Sequence, residues 1–409
     1  MFGSIAQATK NLAIFSFCLL LLGCAPEHPT SEVGAKISTH SQALHRGFRK
    51  TFKRRQKTRV FAHAFSGVKD LPHGVAGDKY FVFVTLALKG RIIVLNRLTG
   101  KVICDLPAPK GGFLLPFGLR VPRPGRLVVL DSGGFPGPNN LVIPSVLTYK
   151  YKWDWRTRSF KAKLIRTTRF DNIPFGFAED LEVTANGHYI ISDSVLGALW
   201  VIKPDGSIHA GIKGASLAPR DAIPQLSGCL FPTNVTIDGI PFTLPGNFAP
   251  GVGAMASYKG KLYFGSSCHG GIHTVPLKSL LDNRKPHERA ADIKVLAKRA
   301  PGASAESTKG LTFNRWNPRD EYLYATDPIH LRIMRYNIKT GKRENLKKDK
   351  KLFNFPVAAQ FLPPISRYAP WSTMIVISDQ EHRFGGLNSS LQDSIFQIPF
   401  IVTKVVLFP

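Results

Sequence analysis

AEDLEVTANGHYIISDSVLGALWVIKPDG, residues 178–206, decides the fold. Its apolar and polar residues alternate from Leu181 to Val183 and cluster again at Tyr189–Ile191 and Leu199–Ile202, which is the period of strands and not of helices. Asn186-Gly187 and Asp205-Gly206 put glycine where a tight hairpin requires positive φ, so the runs read as consecutive antiparallel strands. Outward from this stretch the same pattern of strand, turn, strand, loop, strand recurs from Pro72, Pro116, Gly251, Thr308 and Pro356, with turn glycines at Lys259-Gly260 and Thr340-Gly341. The copies begin about 45 to 75 residues apart, the spacing of propeller blades with insertions, and helical periodicity is scarce throughout. The expectation is an all-β fold: a six-bladed β-propeller of four-stranded antiparallel blades over residues 60–409. The β-like runs Ile395–Ile398 and Val402–Phe408 follow the last copy, and one of them pairing with the N-terminal blade would close the ring and remove its edges.

These repeats resemble the six-bladed superfamily that contains the senescence-marker-protein and gluconolactonase family, the paraoxonases and the strictosidine-synthase-like proteins. Glu179-Asp180-Leu181-Glu182-Val183 followed by Asn186-Gly187 and Ile191-Ser192-Asp193-Ser194 is similar to a paraoxonase blade whose first acidic residue holds a central calcium. RLVVLDSG from Arg126 and KLYFGSSCHGGIHTVPLKSLLD from Lys261 resemble the yellow and royal-jelly relatives. The resemblance implies an axial channel in which oxygen side chains, one from each of several blades, cage a divalent cation, Ca²⁺ first among them, beside a lactone-hydrolysing site. A hard cation of that kind requires several oxygen ligands. In the family the residue eight before the turn glycine faces the channel. That position, or its nearest equivalent blade by blade, holds His73, Phe117, Glu179, Val252, Lys309 and Pro356 here, of which Glu179 alone is a carboxylate and thus the metal candidate. A one-residue register change brings in Asp180, and an insertion could supply Asn234, Asp238 or Asn247.

Two readings of the axial residues stay open. In one, Glu179, Asp180 and His73 carry acid/base hydrolysis of a lactone or ester. In the other, Glu179 and Lys309 face each other as a buried structural pair near His73, and the propeller binds a ligand or an envelope partner without catalysis. Lys309, with Glu381 and His382 of the polar loop Asp379-Gln380-Glu381-His382-Arg383, are the candidate ligand-binding residues. Asp131, Asp193 and Asp327 end the second strands of their blades, and this repetition points to turn-capping carboxylates. Ser266-Ser267-Cys268-His269 is a poor nucleophile dyad, because neighbours on a strand face opposite sides. Trp153 and Trp155 lie in a basic aromatic strand pair. No G-x-S-x-G, phosphate-binding glycine loop, dinucleotide glycine motif or H-E-x-x-H occurs, which excludes the corresponding hydrolase, nucleotide and zincin classes.

The N-terminal region reads as an address. Lys10, the apolar run Leu12–Leu22 and the small residues after it form a secretory signal, and Leu-Leu-Gly-Cys at 21–24 resembles a bacterial lipobox with Cys24 as the lipidated first residue of the mature chain. Residues 1–23 are thus expected to be removed and 24–59 to form a basic disordered tether, anchoring the protein on the periplasmic side of the envelope or at an outer membrane. The run 45–59 carries eight of the chain's 55 Lys and Arg, against 27 Asp and Glu overall, and suits an anionic membrane surface rather than nucleic acid. Five cysteines fall at 18, 24, 104, 229 and 268 without a C-x-x-C pair, leaving Cys229–Cys268 as the disulfide to test.

Overall fold

The computed structural model describes residues 57–407 except 66, 68, 135–142, 172–174, 213–234, 244–250, 267–268, 299–305, 367–370, 385–387, 389, 395, 398 and 399. The signal, Cys24, most of the tether, Cys229, Cys268, Asn234 and Asn247 lie outside the described residues. Strands are numbered β1 to β26 in chain order. Five four-stranded antiparallel sheets follow one another as blades: β2–β5 over 72–105, β6–β9 over 116–169, β10–β13 over 178–212, β16–β19 over 252–297 and β20–β23 over 310–348. The sixth sheet has the order β1-β26-β25-β24, so its three C-terminal strands, β24 (Pro356–Leu362), β25 (Ser372–Ser378) and β26 (Phe400–Leu407), are completed by β1 (Lys57–Phe65). Lys57 pairs with Val406 and Phe65 with Phe400, which closes the ring. The strand therefore begins three residues inside the segment expected to be tether, while Phe396 and Gln397 of the run 395–398 are in no strand.

The first strands of the blades contact each other in sequence around the axis, β2 to β6 to β10 to β16 to β20 to β24 and back to β2. Small residues permit this approach: a Cβ on Gly74 would stand 1.9 Å from the Phe117 carbonyl oxygen. Apolar side chains fill the wedges between neighbouring blades instead of one central core. Phe83, Val94, Leu127 and Tyr149 fill the wedge between the first two blades, and Leu199, Val201, Met255 and Phe264 the wedge between the third and fourth. Polar ties cross these wedges, with Tyr151 donating to Asp78 at 2.6 Å and Thr148 bonded to Tyr189 at 3.1 Å. A two-stranded hairpin, β14 (Val235–Ile237) and β15 (Ile240–Phe242), leaves the ring after the third blade and packs Phe242 on Phe355.

The axis-facing positions come from a repeated irregularity. In β2 (Pro72–Gly77), β6 (Pro116–Arg123), β10 (Ala178–Val183) and β16 (Val252–Tyr258) pairing with the second strand breaks between the first residue and the fourth. Such bulges re-aim side chains. They release His73 and Gly74, Phe117 and Gly118, Glu179 and Asp180, and Gly253 and Ala254. In the fourth blade the released position is thus Gly253 and not Val252, which lies in the apolar wedge between blades. Its Lys259-Gly260 turn is shorter than the Thr184–His188 turn of the third blade, so counting back from the glycine overshoots by one. In the sixth blade Val357 and Ala358 line the axis in place of Pro356.

Candidate functional site at the channel end

Five titratable side chains from four blades converge at the end of the axis where the first strands start. Glu179 is the second residue of β10, and Lys309 immediately precedes β20 (Gly310–Phe313). The Lys309 ammonium lies 3.2 Å from a Glu381 carboxylate oxygen and 3.7 Å from one of Glu179. His73 Nδ1 is 3.0 Å from Asp379 Oδ2, and the His73 ring lies on Phe117 at 3.9 Å between centroids. Gly253 leaves the space in which Glu179 sits, since a Cβ there would be 2.6 Å from Glu179 Oε1. All five groups are largely removed from solvent, Asp379 completely and Lys309 least.

Burial and mutual charge set their protonation. Desolvation pushes His73 down to about 4, in spite of the carboxylates of Glu381 and Glu179, so its imidazole is neutral at pH 7. Desolvation pushes both Asp379 and Glu381 up to about 7, with Lys309 opposing the rise in each. Burial also disfavours the Lys309 ammonium, but Glu381, Glu179 and Asp379 outweigh it and raise its pKa, so it stays charged. The contact between His73 and Asp379 is therefore a hydrogen bond to a neutral ring and not an ion pair. Both carboxyls are thus raised toward neutrality, and the charge of Asp379 on Glu381 couples the two titrations.

Asp180 and His382, both expected here, are placed elsewhere. Asp180 pairs with Arg120 at 3.1 Å and accepts the Met255 N–H at 3.0 Å. It begins a second layer further along the axis, in which Arg120 and Arg315 both hold the buried Glu182, at 3.2 and 2.8 Å. Between the layers is a cavity of about 40 Å³ lined by His73, Phe117, Glu179, Asp180, Arg120 and Lys309. At ~10–15 Å³ per water, it has room for no more than a few. His382 turns away and stacks on Phe355 at 5.4 Å. Burial pushes its pKa down to about 3, and its charged neighbours are Arg383 and Asp238. Asp238 holds Arg383 at 2.9 Å and is not an axial ligand.

Sequence reasoning singled out Glu179, Lys309, His73 and Glu381, which the fold brings together. It missed Asp379 as a site residue. Asp131 and Asp193, at the same place in their blades, accept backbone N–H groups of the preceding loop, and Asp327 binds His330 and Arg332. Asp379 departs from the series by turning one oxygen to a histidine 306 residues away, a contact no local pattern reports. Cys104 is a free thiol away from this group.

The ring of blades has counterparts among solved structures. In fold the chain is similar to regucalcin. The calcium-binding regucalcin from Agrobacterium tumefaciens str. C58 superposes with a TM-score of 0.50 at 11% identity, over 87% of this chain and 96% of that one. A gluconolactonase from Xanthomonas campestris matches with a TM-score of 0.47 at 12% identity, over 87% and 90%. The PQQ-bound aldose sugar dehydrogenase from Streptomyces coelicolor matches with a TM-score of 0.46 at 11% identity, over 86% and 97%. No protein-family model matches the chain, and no curated protein does. The regucalcin likeness is one of architecture: a six-bladed β-propeller.

Proposed function

We propose that this propeller binds a small molecule at the channel end and hydrolyses a lactone or related ester there, with the Lys309 ammonium in the part a bound cation would take. The observation that carries the reading is the position of Lys309 Nζ, 3.2 and 3.7 Å from two carboxylates and in one buried group with the His73–Asp379 pair. A calcium cage does not fit these residues. Ca²⁺ takes six to eight oxygens, whereas His73, Asp379 and Glu381 offer one ligand atom each within 4.8 Å, one of them nitrogen, and an ammonium already neutralises Glu381.

The chemistry follows from the protonation states. With Asp379 ionised, His73 donates Nδ1–H to it and leaves Nε2 free to accept a proton from water. The hydroxide forms a bond to the lactone carbonyl carbon, the developing oxyanion is stabilised by Lys309, and the ring C–O bond breaks as Glu381 gives its proton to the leaving alkoxide. Asp379 ionised and Glu381 protonated coexist near neutrality, so the rate is expected to be bell-shaped around pH 7. The small axial cavity favours the competing reading of a non-catalytic binder, since any such substrate must rest at the mouth with only its carbonyl directed inward. Export, lipidation at Cys24 and an envelope location belong to the same proposal and rest on the sequence.

Full chain incubated with a panel of lactones and aryl esters, with and without EDTA, tests it. Hydrolysis that survives EDTA and drops about a hundredfold in both His73→Gln and Lys309→Met supports the enzyme. Rates equal to those of the variants remove the catalytic reading and leave the binder.

A further inference from the structure

The third and fourth strands of the second blade form a surface that none of the preceding chemistry uses. β8 (Ser145–Asp154) and β9 (Ser159–Arg169) have 10 and 11 residues, the longest strands described. From Tyr149 to Arg169 they carry eight Lys and Arg and one acid, Asp154. The inner face of the hairpin is aromatic and spoken for: Tyr151 stacks on Phe160 at 5.8 Å, and Phe160 meets Phe81 of the first blade edge-on at 5.2 Å. The outer face is different. Lys150 lies directly across from Lys163, and Lys152 directly across from Lys161, all four exposed. None has a carboxylate in ion-pair distance among the described residues. Like charges opposite one another destabilise a strand pair, so the fold holds a square of ammonium groups that an anionic partner would relieve. At the tip, Trp155 is 77% exposed, packs its edge on Trp153, and is flanked by exposed Arg156 and Arg158.

Topology adds a second, independent observation. The tip joins a third strand to a fourth. In the sixth blade the equivalent junction lies between the end of β26 and the start of β1 at Lys57, so the chain enters the ring on the same face as the Trp155 tip. The residues leading into Lys57 are themselves basic, FRKTFKRRQ over 48–56. First strands start on the opposite face, where His73, Glu179 and Lys309 lie.

We infer that the β8–β9 hairpin docks the propeller on an anionic phospholipid surface, with Trp155 at headgroup depth and Lys150, Lys152, Lys161 and Lys163 against the phosphates, so that the candidate site faces away from the lipid. An amphipathic indole beside arginines suits the interfacial layer, and lysines near such a surface act additively. A polysaccharide polyanion offers the charge without an apolar layer for the indole.

The test compares full chain with a Lys150→Gln/Lys152→Gln/Lys161→Gln/Lys163→Gln variant and with Trp155→Ser, so the segment 1–56 is common to all. Co-sedimentation uses vesicles of phosphatidylcholine alone or with 30% phosphatidylglycerol, and brominated lipid quenches inserted tryptophan. Expected are tighter binding to the anionic vesicles than to phosphatidylcholine alone, at least tenfold weaker partition to the anionic vesicles for the four-lysine variant, and bromolipid quenching that is lost in Trp155→Ser. Unchanged partition of the four-lysine variant overturns the proposal, as does tighter binding to dextran sulfate than to vesicles. Self-association of that variant with unchanged vesicle binding also overturns it, since the lysines would then be guarding an edge strand. Lactone hydrolysis in vesicle-free solution is read separately, and its presence or absence leaves this test untouched.

Discussion

Lys309 is the residue on which the axial chemistry turns. Its ammonium answers two buried carboxylates at once, so its removal leaves Glu179 and Glu381 without a counter-charge. Replacing one partner of a buried pair costs about 3–5 kcal/mol. Lys309→Met is therefore expected to lower the melting temperature markedly, and Mn²⁺, Zn²⁺ or Ca²⁺ should recover part of the loss, because a ligand that binds only the folded state stabilises it. The wild type should be indifferent to the same ions. Equal responses of the two proteins would show that Lys309 is not the resident cation. Glu381 supports a second prediction at this scale. Its carboxyl is raised from 4.5 to about 7, so between these values the folded state holds a proton that the unfolded state has released. Stability from this group is thus present at low pH and lost as pH rises to 7. Glu381→Gln should gain stability relative to wild type across that window, on the order of 2 kcal/mol by linkage, and urea midpoints at pH 5 and pH 7.5 would show it.

At the scale of the strand, the sequence announced the elements and hid their irregularities. Asn186-Gly187 and Thr340-Gly341 mark hairpins that the structure contains, and Gly187 and Gly341 have φ of 81° and 69°. The bulges that deliver His73, Phe117 and Glu179 to the axis carry no letter of their own. Counting eight back from the turn glycine reaches Phe117 and Glu179 and fails at Val252, where a shorter turn moves the released position to Gly253. Asp379 was illegible for another reason, as its partner belongs to the first blade. Bulge and close approach together predict that Gly74→Ala is severe. Its Cβ meets the Phe117 carbonyl, a backbone atom that cannot rotate away. A loss of roughly 2–4 kcal/mol is expected from overpacking of this kind, measurable as a lower denaturant midpoint with unchanged m-value. A variant as stable as wild type would mean that the first strands are not packed as described.

The described part of Gln56–Pro409 is a ring closed by six wedges of apolar packing. Six sequence copies correspond to six blades, because each copy must bury its faces on two neighbours. The closing pair is half legible: Val402–Phe408 reads as a candidate closing strand, whereas Lys57–Arg59 look like tether by charge and are strand by pairing. Their basic side chains sit on an edge strand, where exposed charge is tolerated. Removing residues 400–409 should therefore do more than shorten one sheet. It deprives β1 of its partner and β25 of its outer neighbour. Loss of a single sharp thermal transition by calorimetry is the expected result, and an unaltered transition would show that the ring does not depend on its clasp.

That clasp also imposes an order of events. Five blades are assembled from neighbours in sequence, and each can form as soon as its own hairpins exist. The sixth cannot, because Lys57–Phe65 waits for Phe400–Leu407. During synthesis from the N-terminus, β1 is made first among these strands and paired last. For that whole interval the nascent chain carries an unmatched strand, and joining ends so distant in sequence is slow. The eight Lys and Arg at 45–59 give every copy of the waiting strand the same charge, so pairing of one unmatched β1 with another is expected to be opposed by repulsion.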